Sequence, residues 1–509
     1  MRNTVVMSVL VVMGLGLSAC GEDPPQPPPP NFCPQRPAAQ TPKPGQAPLL
    51  VRARPLPQTL LARRELAMMT SLARPQDAGE VGVENRAWWA SPCLMGTPGL
   101  ETATPRVAVV GGGRAVAVWT ERDGLHEQLW FSEYIPETGW TSAEVMGLSR
   151  EAPEDVLRVR QPQVVADSQG RALAVWLQSE GSAAAQLWFS RHSPGAGWSK
   201  PDRVLARSLG DATFLEAARD AAGTATLSWT QFDGDTLSEN VWVTRGSPEA
   251  GFEDARRIDT PVPGFSVEPQ VSVSGDGHAV VGWYRFDEME GIGEAWFSRW
   301  TPGAGWSAAE KVSAEGVDSF FAEPLAGPGG AVLALWSELG AVNVELWARP
   351  FVPGTGWGEA LRLEDALGTS GMAQASLEQG GRAMVVWPRF RAGFTRLSAR
   401  PYDFAHGFSE RQDVDAPPLT LGHAQDPQVV SLSRTQALVV WSHEREGSGH
   451  RIATSRYSAG RGWGRALLLD SEGVAQSGLP RLSVGPTGVG VATWLHRGAV
   501  PGLGVSVFQ

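Results

Sequence analysis

The chain has 509 residues and carries 43 Lys+Arg against 54 Asp+Glu, a formal net charge of −11 at neutral pH. An acidic balance without any basic run excludes the electrostatic footprint of a nucleic-acid partner and of a polybasic membrane patch. The cysteine count is three and the tryptophan count 21, so aromatic packing has far more material than disulfide chemistry.

In chain order, the first element is a processing signal. Arg2 precedes a short apolar run, Val5 to Leu17, which closes in LSAC at Cys20. A dozen or so apolar residues are too few to span a bilayer and fit a secretory signal. The LSAC ending resembles the lipobox of bacterial lipoproteins. That resemblance implies cleavage before Cys20, lipidation of its thiol and attachment to a membrane through it. Gly21 in place of Asp implies the outer membrane in a diderm host.

The expected boundaries are a lipoprotein signal over 1–19, a Pro-rich tether over 20–48, a partly helical segment over 49–81 and a repeat domain over 82–509. The tether reads GEDPPQPPPP, a composition that favours extended polyproline II and builds no core. In the next segment Leu60, Leu61, Met68, Met69 and Leu72 recur at partly helical spacing before Pro75, which predicts a helix packed on the repeat domain or, alternatively, docked on a partner. With Cys20 lipidated, Cys33 and Cys93 remain. An exported protein sits where disulfides persist, so these two are candidates to staple the tether to the body. Sequence leaves the pairing open, because a bridge requires close Cα atoms.

From there the chain repeats. Apolar runs such as AVAVW, ALAVW and ALVVW end in Trp119, Trp176, Trp229, Trp283, Trp336, Trp387, Trp441 and Trp494, at intervals of 57, 53, 54, 53, 51, 54 and 53. A proline stands fourteen residues before most of these tryptophans, with Pro324 at twelve. A second run such as QLWFS, with a tryptophan in five copies, follows, and then in all copies but the last a P-x-x-G-W phrase or a variant, as in SPGAGWS. Short segments rich in Val, Ala and aromatics, punctuated by Gly, Pro, Asp and Ser, read as strands. Each unit therefore predicts four antiparallel strands: A from the proline, B ending at the first tryptophan, C around the second, and D after Gly-Trp.

Eight such units of about 53 residues predict an all-β fold, an eight-bladed β-propeller. The last unit lacks its own Gly-Trp strand, whereas WASPCLM from Trp89 aligns with WSAAEKV from Trp306. The N-terminal segment is thus expected to join the C-terminal blade, which removes free sheet edges. Tryptophans in three fixed registers are expected to pack between blades rather than to serve as sugar-stacking platforms.

Function in such a fold lives in loops. The A–B and C–D turns are short and stereotyped, whereas the B–C loops (TERDGLHEQ, YRFDEMEGIGE, SHEREGSGH) differ from unit to unit. Two registers at that face carry the candidate ligand-binding residues. The residue after the proline position reads Arg106, Gln163, Glu216, Gln270, Leu325, Gln374, Gln428 and Arg481. Two residues past the B tryptophan stand Glu121, Gln178, Gln231, Arg285, Glu338, Arg389, His443 and His496. Both are expected to form concentric polar rings at a central channel, either to bind a polar ligand or peptide or to tie down connector backbone, whose buried polar groups need partners.

No cofactor motif is present. The acidic loops with Asp287, Glu288, Glu290 and Glu294 or Asp233 and Asp235 lack a calcium-loop spacing, and His443, Glu444, Glu446 and His450 lack a helix to align imidazoles for zinc. No metal site is assigned. A glycosidase or lectin is the rival to a binding scaffold, with Tyr284 beside Arg285 and Asp287 as its best grouping, but hydrolysis needs paired carboxylates across a cleft.

The D-x-x-G-x-A-x-A-V-W pattern, seen as DSQGRALAVW before Leu177, resembles tryptophan-rich propeller repeats of exported bacterial proteins without assigned activity. The expected partners are the membrane and an unidentified envelope protein or glycan.

Overall fold

The computed structural model describes residues 32–33 and most of 89–508; residues 1–31, 34–88, 509 and short loop stretches, the longest 147–156, lie outside the described set. The expectations for the signal, Cys20, the Pro-rich tether and the segment over 49–81 therefore fall outside the described residues, as do Asp235, Glu288, Glu290 and Glu446.

The fold is all-β. In unit 1, strands A (Glu101–Val109), B (Ala115–Asp123) and C (His126–Ile135) run antiparallel in sequence order. The outer strand D comes in two pieces, Gly139–Trp140 and Glu144–Val145, both paired with strand C. Units 2 to 7 repeat this order. Their A strands are Leu157–Ala166, Ala212–Arg219, Phe265–Val273, Ser319–Ala326, the broken Thr369–Ser370 and Gln374–Leu377, and Gly422–Ser433.

The glycine of the Gly-Trp phrase explains why the phrase recurs. Gly139, Gly197, Gly251, Gly305, Gly356, Gly407 and Gly462 all sit at φ between 71° and 92°, where a side chain is costly. The tight turn then delivers the following aromatic onto strand C.

Unit 8 is assembled from both ends of the described chain. Ser477–Val484, Gly490–His496 and Gly502–Phe508 are its A, B and C strands, and Cys93–Met95 is its D strand. The register is Cys93↔Val505, Leu94↔Gly504 and Met95↔Leu503, with a bridge between Trp89 and Phe508. Gly504 is required there, since a Cβ would meet the Trp494 indole at 2.2 Å. Cys33 and Cys93 are joined by a disulfide, with Cα atoms 4.8 Å apart.

Among the described residues the buried apolar side chains form eight clusters, each shared by two consecutive units. Trp176 packs with Val116, Val118 and Leu129 of the preceding unit, and Trp119 with Val491, Leu503 and Val505 of unit 8. All eight B tryptophans are at most 2 % exposed. Each indole buries on the order of 200 Å² between neighbouring sheets, so the tryptophan spacing records how sheets pack. Each A strand also contacts the A strand of the next unit, and that of unit 8 contacts that of unit 1.

Candidate functional site

Equivalent positions on the eight A strands converge. The residue thirteen before each B tryptophan pairs across the A–B ladder with the residue just before that tryptophan, from Arg106↔Val118 and Glu216↔Ser228 to Glu323↔Leu335 and Arg481↔Thr493. In units 1 to 8 this hub register reads Arg106, Gln163, Glu216, Gln270, Glu323, Gln374, Gln428 and Arg481.

Unit 5 corrects the expectation for Leu325. Its proline follows the hub residue instead of preceding it, so counting from proline lands two positions late. Leu325 is 5 % exposed in the apolar cluster between units 5 and 6. Counting back from Trp336 instead identifies Glu323. The tryptophan is the better ruler because it is fixed by packing.

The hub side chains bond one another around the register. Arg106 Nε donates to Gln163 Oε1 at 3.1 Å, and Gln163 Nε2 donates to the Leu215 carbonyl at 2.9 Å. Gln428 Nε2 approaches Gln374 Oε1 at 3.5 Å. The four charged members keep some surface open to water yet lie deep enough for burial to dominate their titration, a combination that fits groups lining a narrow passage.

Burial and the Glu216 charge push the Glu323 carboxyl up to about 8. Burial also raises Glu216, against the opposing pull of Arg106 and Arg481. Burial and the like charge of Arg106 bring Arg481 down to about 10. Burial lowers Arg106 too, opposed by Glu216.

A collar lies two residues before the hub. Thr104, Gln161, Phe214, Glu268, Phe321, Asp426 and Leu479 all have φ between 47° and 56°, each where the A–B register shifts through a β-bulge. Bulges favour glycine at such a position, and a larger residue there costs about 1 kcal/mol. In unit 6 the strand breaks instead, and Met372 occupies the place. Phe214, Phe321, Met372 and Leu479 are nevertheless exposed. Phe232, Leu339 and Phe390, three residues past their B tryptophans, add exposed apolar surface at the same end of the sheets.

The second register lies elsewhere than expected. Glu121, Gln178, Gln231, Arg285, Glu338, Arg389 and His443 are buried between sheets rather than arrayed around the hub, and His496 is partly buried. Four of them accept a hydrogen bond from the indole N–H of their own unit's B tryptophan: Glu121 at 2.8 Å, Gln178 at 3.2 Å, Gln231 at 3.1 Å and Glu338 at 2.8 Å. Glu121 and Glu338 also accept from the connector amides of Thr97 and Ala314.

Where the register holds arginine, that arginine pairs with a glutamate from another position, which accepts from the B tryptophan in unit 6 but from the C-strand Trp296 in unit 4. Arg285 pairs with Glu294 at 2.6 Å, which accepts from Trp296, and Arg389 pairs with Glu364 at 3.0 Å, which accepts from Trp387. Arg285 also holds Asp287 at 3.2 Å, and Lys311 holds Glu294 at 2.7 Å. Burial, together with Asp318 and Glu268, raises the Tyr284 hydroxyl above its ordinary value, away from the ionised form a nucleophile needs. His496 Nδ1 lies 3.3 Å from Ser477 Oγ. Burial and the nearby Arg396 and Arg451 charges lower His443.

Two surface pockets of ≈ 230 and ≈ 740 Å³ lie on the opposite face, lined by A–B and C–D turn residues such as Gly329, Gly330 and Gly354, or Gly112, Gly113 and Gly488. Neither collects paired carboxylates.

No family model matches the chain, and no curated protein is similar to it. Solved structures similar to this chain include an ulvan lyase, a polysaccharide lyase, at 10% identity and a TM-score of 0.45, covering 70% of this chain and 94% of the other. The β-propeller domain of the Trilobed protease from Pyrococcus furiosus is 11% identical, TM-score 0.42, covering 73% and 96%. A leech intramolecular trans-sialidase is 8% identical, TM-score 0.36, covering 80% and 89%.

Proposed function

We propose that this chain is a lipid-anchored cell-envelope protein, held through Cys20, in a diderm host to the outer membrane. Its body is a closed eight-bladed propeller that serves as a binding or scaffold module. The lipobox-like LSAC and the Pro-rich stretch behind it support the anchor and tether. Eight A–B–C–D units, with contacts between units 8 and 1, support the ring.

The recognition face is that of the B–C loops and D–A connectors, and its partner is an apolar peptide segment of another envelope protein. One observation carries this reading: the collar holds Phe214, Phe321 and Leu479 exposed at positive φ, where glycine would be cheaper. Bulge architecture accounts for the backbone but not for the aromatic and aliphatic side chains, and strain kept at one site is a mark of function.

Peptide and glycan arrays probed with the intact chain and with the Phe214→Ser/Phe321→Ser variant test it. Aromatic-rich peptides are expected to bind the intact chain and lose at least tenfold in affinity with the variant. Glycan binding that survives the substitutions, with no peptide binding, would overturn it. The second reading, a lectin or glycosidase acting at the mouth, is favoured by the carboxyl groups of Glu216 and Glu323 within electrostatic reach of each other.

A further inference from the structure

Four of the eight hub positions are glutamine, so the architecture accepts a neutral amide at this register. Arg106 and Arg481 depart from that rule in neighbouring units, 1 and 8, whose A strands touch. Packing two guanidinium groups side by side costs free energy in a poorly solvated place unless counter-charges meet them. Among the described residues no carboxylate lies within ion-pair distance of either. Arg481 Nη1 donates to the Pro480 carbonyl at 2.9 Å, and Arg106 Nη1 to the Pro105 carbonyl at 3.1 Å, besides the bond from Arg106 to Gln163. Most of the forked N–H set of each guanidinium thus has no protein acceptor among the described residues.

Glu323 is largely protonated at neutral pH, which leaves Glu216 and, toward Arg481, the collar's Asp426 as the acidic groups that act on the arginine pair. Guanidinium forks match planar carboxylates and tetrahedral oxyanions bidentately.

We infer that Arg106 and Arg481 form a binding site at the hub for a single oxyanionic group, a carboxylate or a sulfate or phosphate ester, carried by a ligand that enters from the collar side. The Gln163 amide holds the Arg106 fork in orientation, and Glu216 limits the site to one anionic group. The inference rests on the hub alone and goes beyond the collar reading; it stands or falls separately from peptide recognition there.

The test is calorimetric titration of the folded, tether-bearing chain with sodium sulfate and with sodium acetate, at pH 6.5 and ionic strength fixed with chloride. Saturable one-to-one binding of at least one of the two is expected, and which one binds better separates the tetrahedral from the planar group. Arg106→Gln/Arg481→Gln is expected to weaken binding at least tenfold. Because glutamine already occupies the register elsewhere, this variant should keep the wild-type near-ultraviolet circular dichroism. Glu216→Gln, which removes the nearby negative charge, is expected to tighten binding severalfold. Two results would overturn the inference: no saturable binding of either anion, or binding that the double arginine variant leaves unchanged.

Discussion

At the scale of single residues, register decides what a polar side chain does. Glu338 and Glu323 both stand at a fixed offset from Trp336, one two residues after it and the other thirteen before. Glu338 is buried between sheets, where its carboxylate accepts from the Trp336 indole and the Ala314 amide. Glu338→Ala strands both donors and should cost about 1–3 kcal/mol, read as a lower denaturation midpoint; Glu338→Gln, the residue type used in units 2 and 3, should recover most of it.

Among the described residues Glu323 has no such donor pair, and it is held protonated. Its carboxyl titrates near 8 in the fold against 4.5 for the ordinary group, so between those values the folded state binds the extra proton. Stability should therefore fall as pH rises from 4.5 to 8 and stay low above it. Glu323→Gln removes that dependence. Thermal melts across pH should show variant and wild type converging near pH 4 and the variant ahead by about 1–3 kcal/mol at pH 9, a figure discounted because the side chain keeps some solvent. A gap that does not change with pH would contradict this assignment.

At the scale of elements, the A strand is the informative one. Its bulge turns the chain through positive φ in seven units, which takes the collar residue out of the A–B ladder, while the hub residue, two positions on, is paired again. Phe321 pays for that geometry with backbone strain, whereas its ring remains exposed and packs edge-to-face on Phe320 at 5.0 Å. Phe321→Gly should relieve strain and stabilise by up to about 1 kcal/mol, whereas Phe321→Ala should not. If both substitutions destabilise alike, the ring contributes more by packing than the bulge costs.

At the scale of the whole molecule, eight inter-unit cores replace a single one, so each sheet depends on its neighbours. The vulnerable joint is unit 8, whose outer strand is contributed by Cys93–Met95 and fastened by the Cys33–Cys93 disulfide. The linked cysteines lie 60 residues apart in sequence, and a cross-link over that span is worth about 2–4 kcal/mol. Cys33→Ser should lower the unfolding midpoint accordingly. Hydrogen exchange should then quicken first at Leu94 and Met95 and their partners Leu503 and Gly504, with the ladders of units 3 to 5 unchanged.

The repeat, its strand order and the packing role of the B tryptophans were legible in the sequence, because a side chain wedged between every pair of sheets must recur at the period of the sheets. Spacing also brought Arg106 and Arg481 into view. It misplaced unit 5, because proline marks only where strand A is able to begin, whereas the buried indole fixes register; Glu323 became visible once Trp336 set the count. Three things needed tertiary structure: that much of the second polar register serves indole and connector N–H groups, that the collar holds exposed aromatics at positive φ, and that two arginines of the hub stand on touching A strands without a contacting carboxylate among the described residues. The reason is physical. Periodicity along a chain follows from packing that each unit repeats, whereas burial, strain and unmet charge arise between residues that only the packing of sheets against one another brings together.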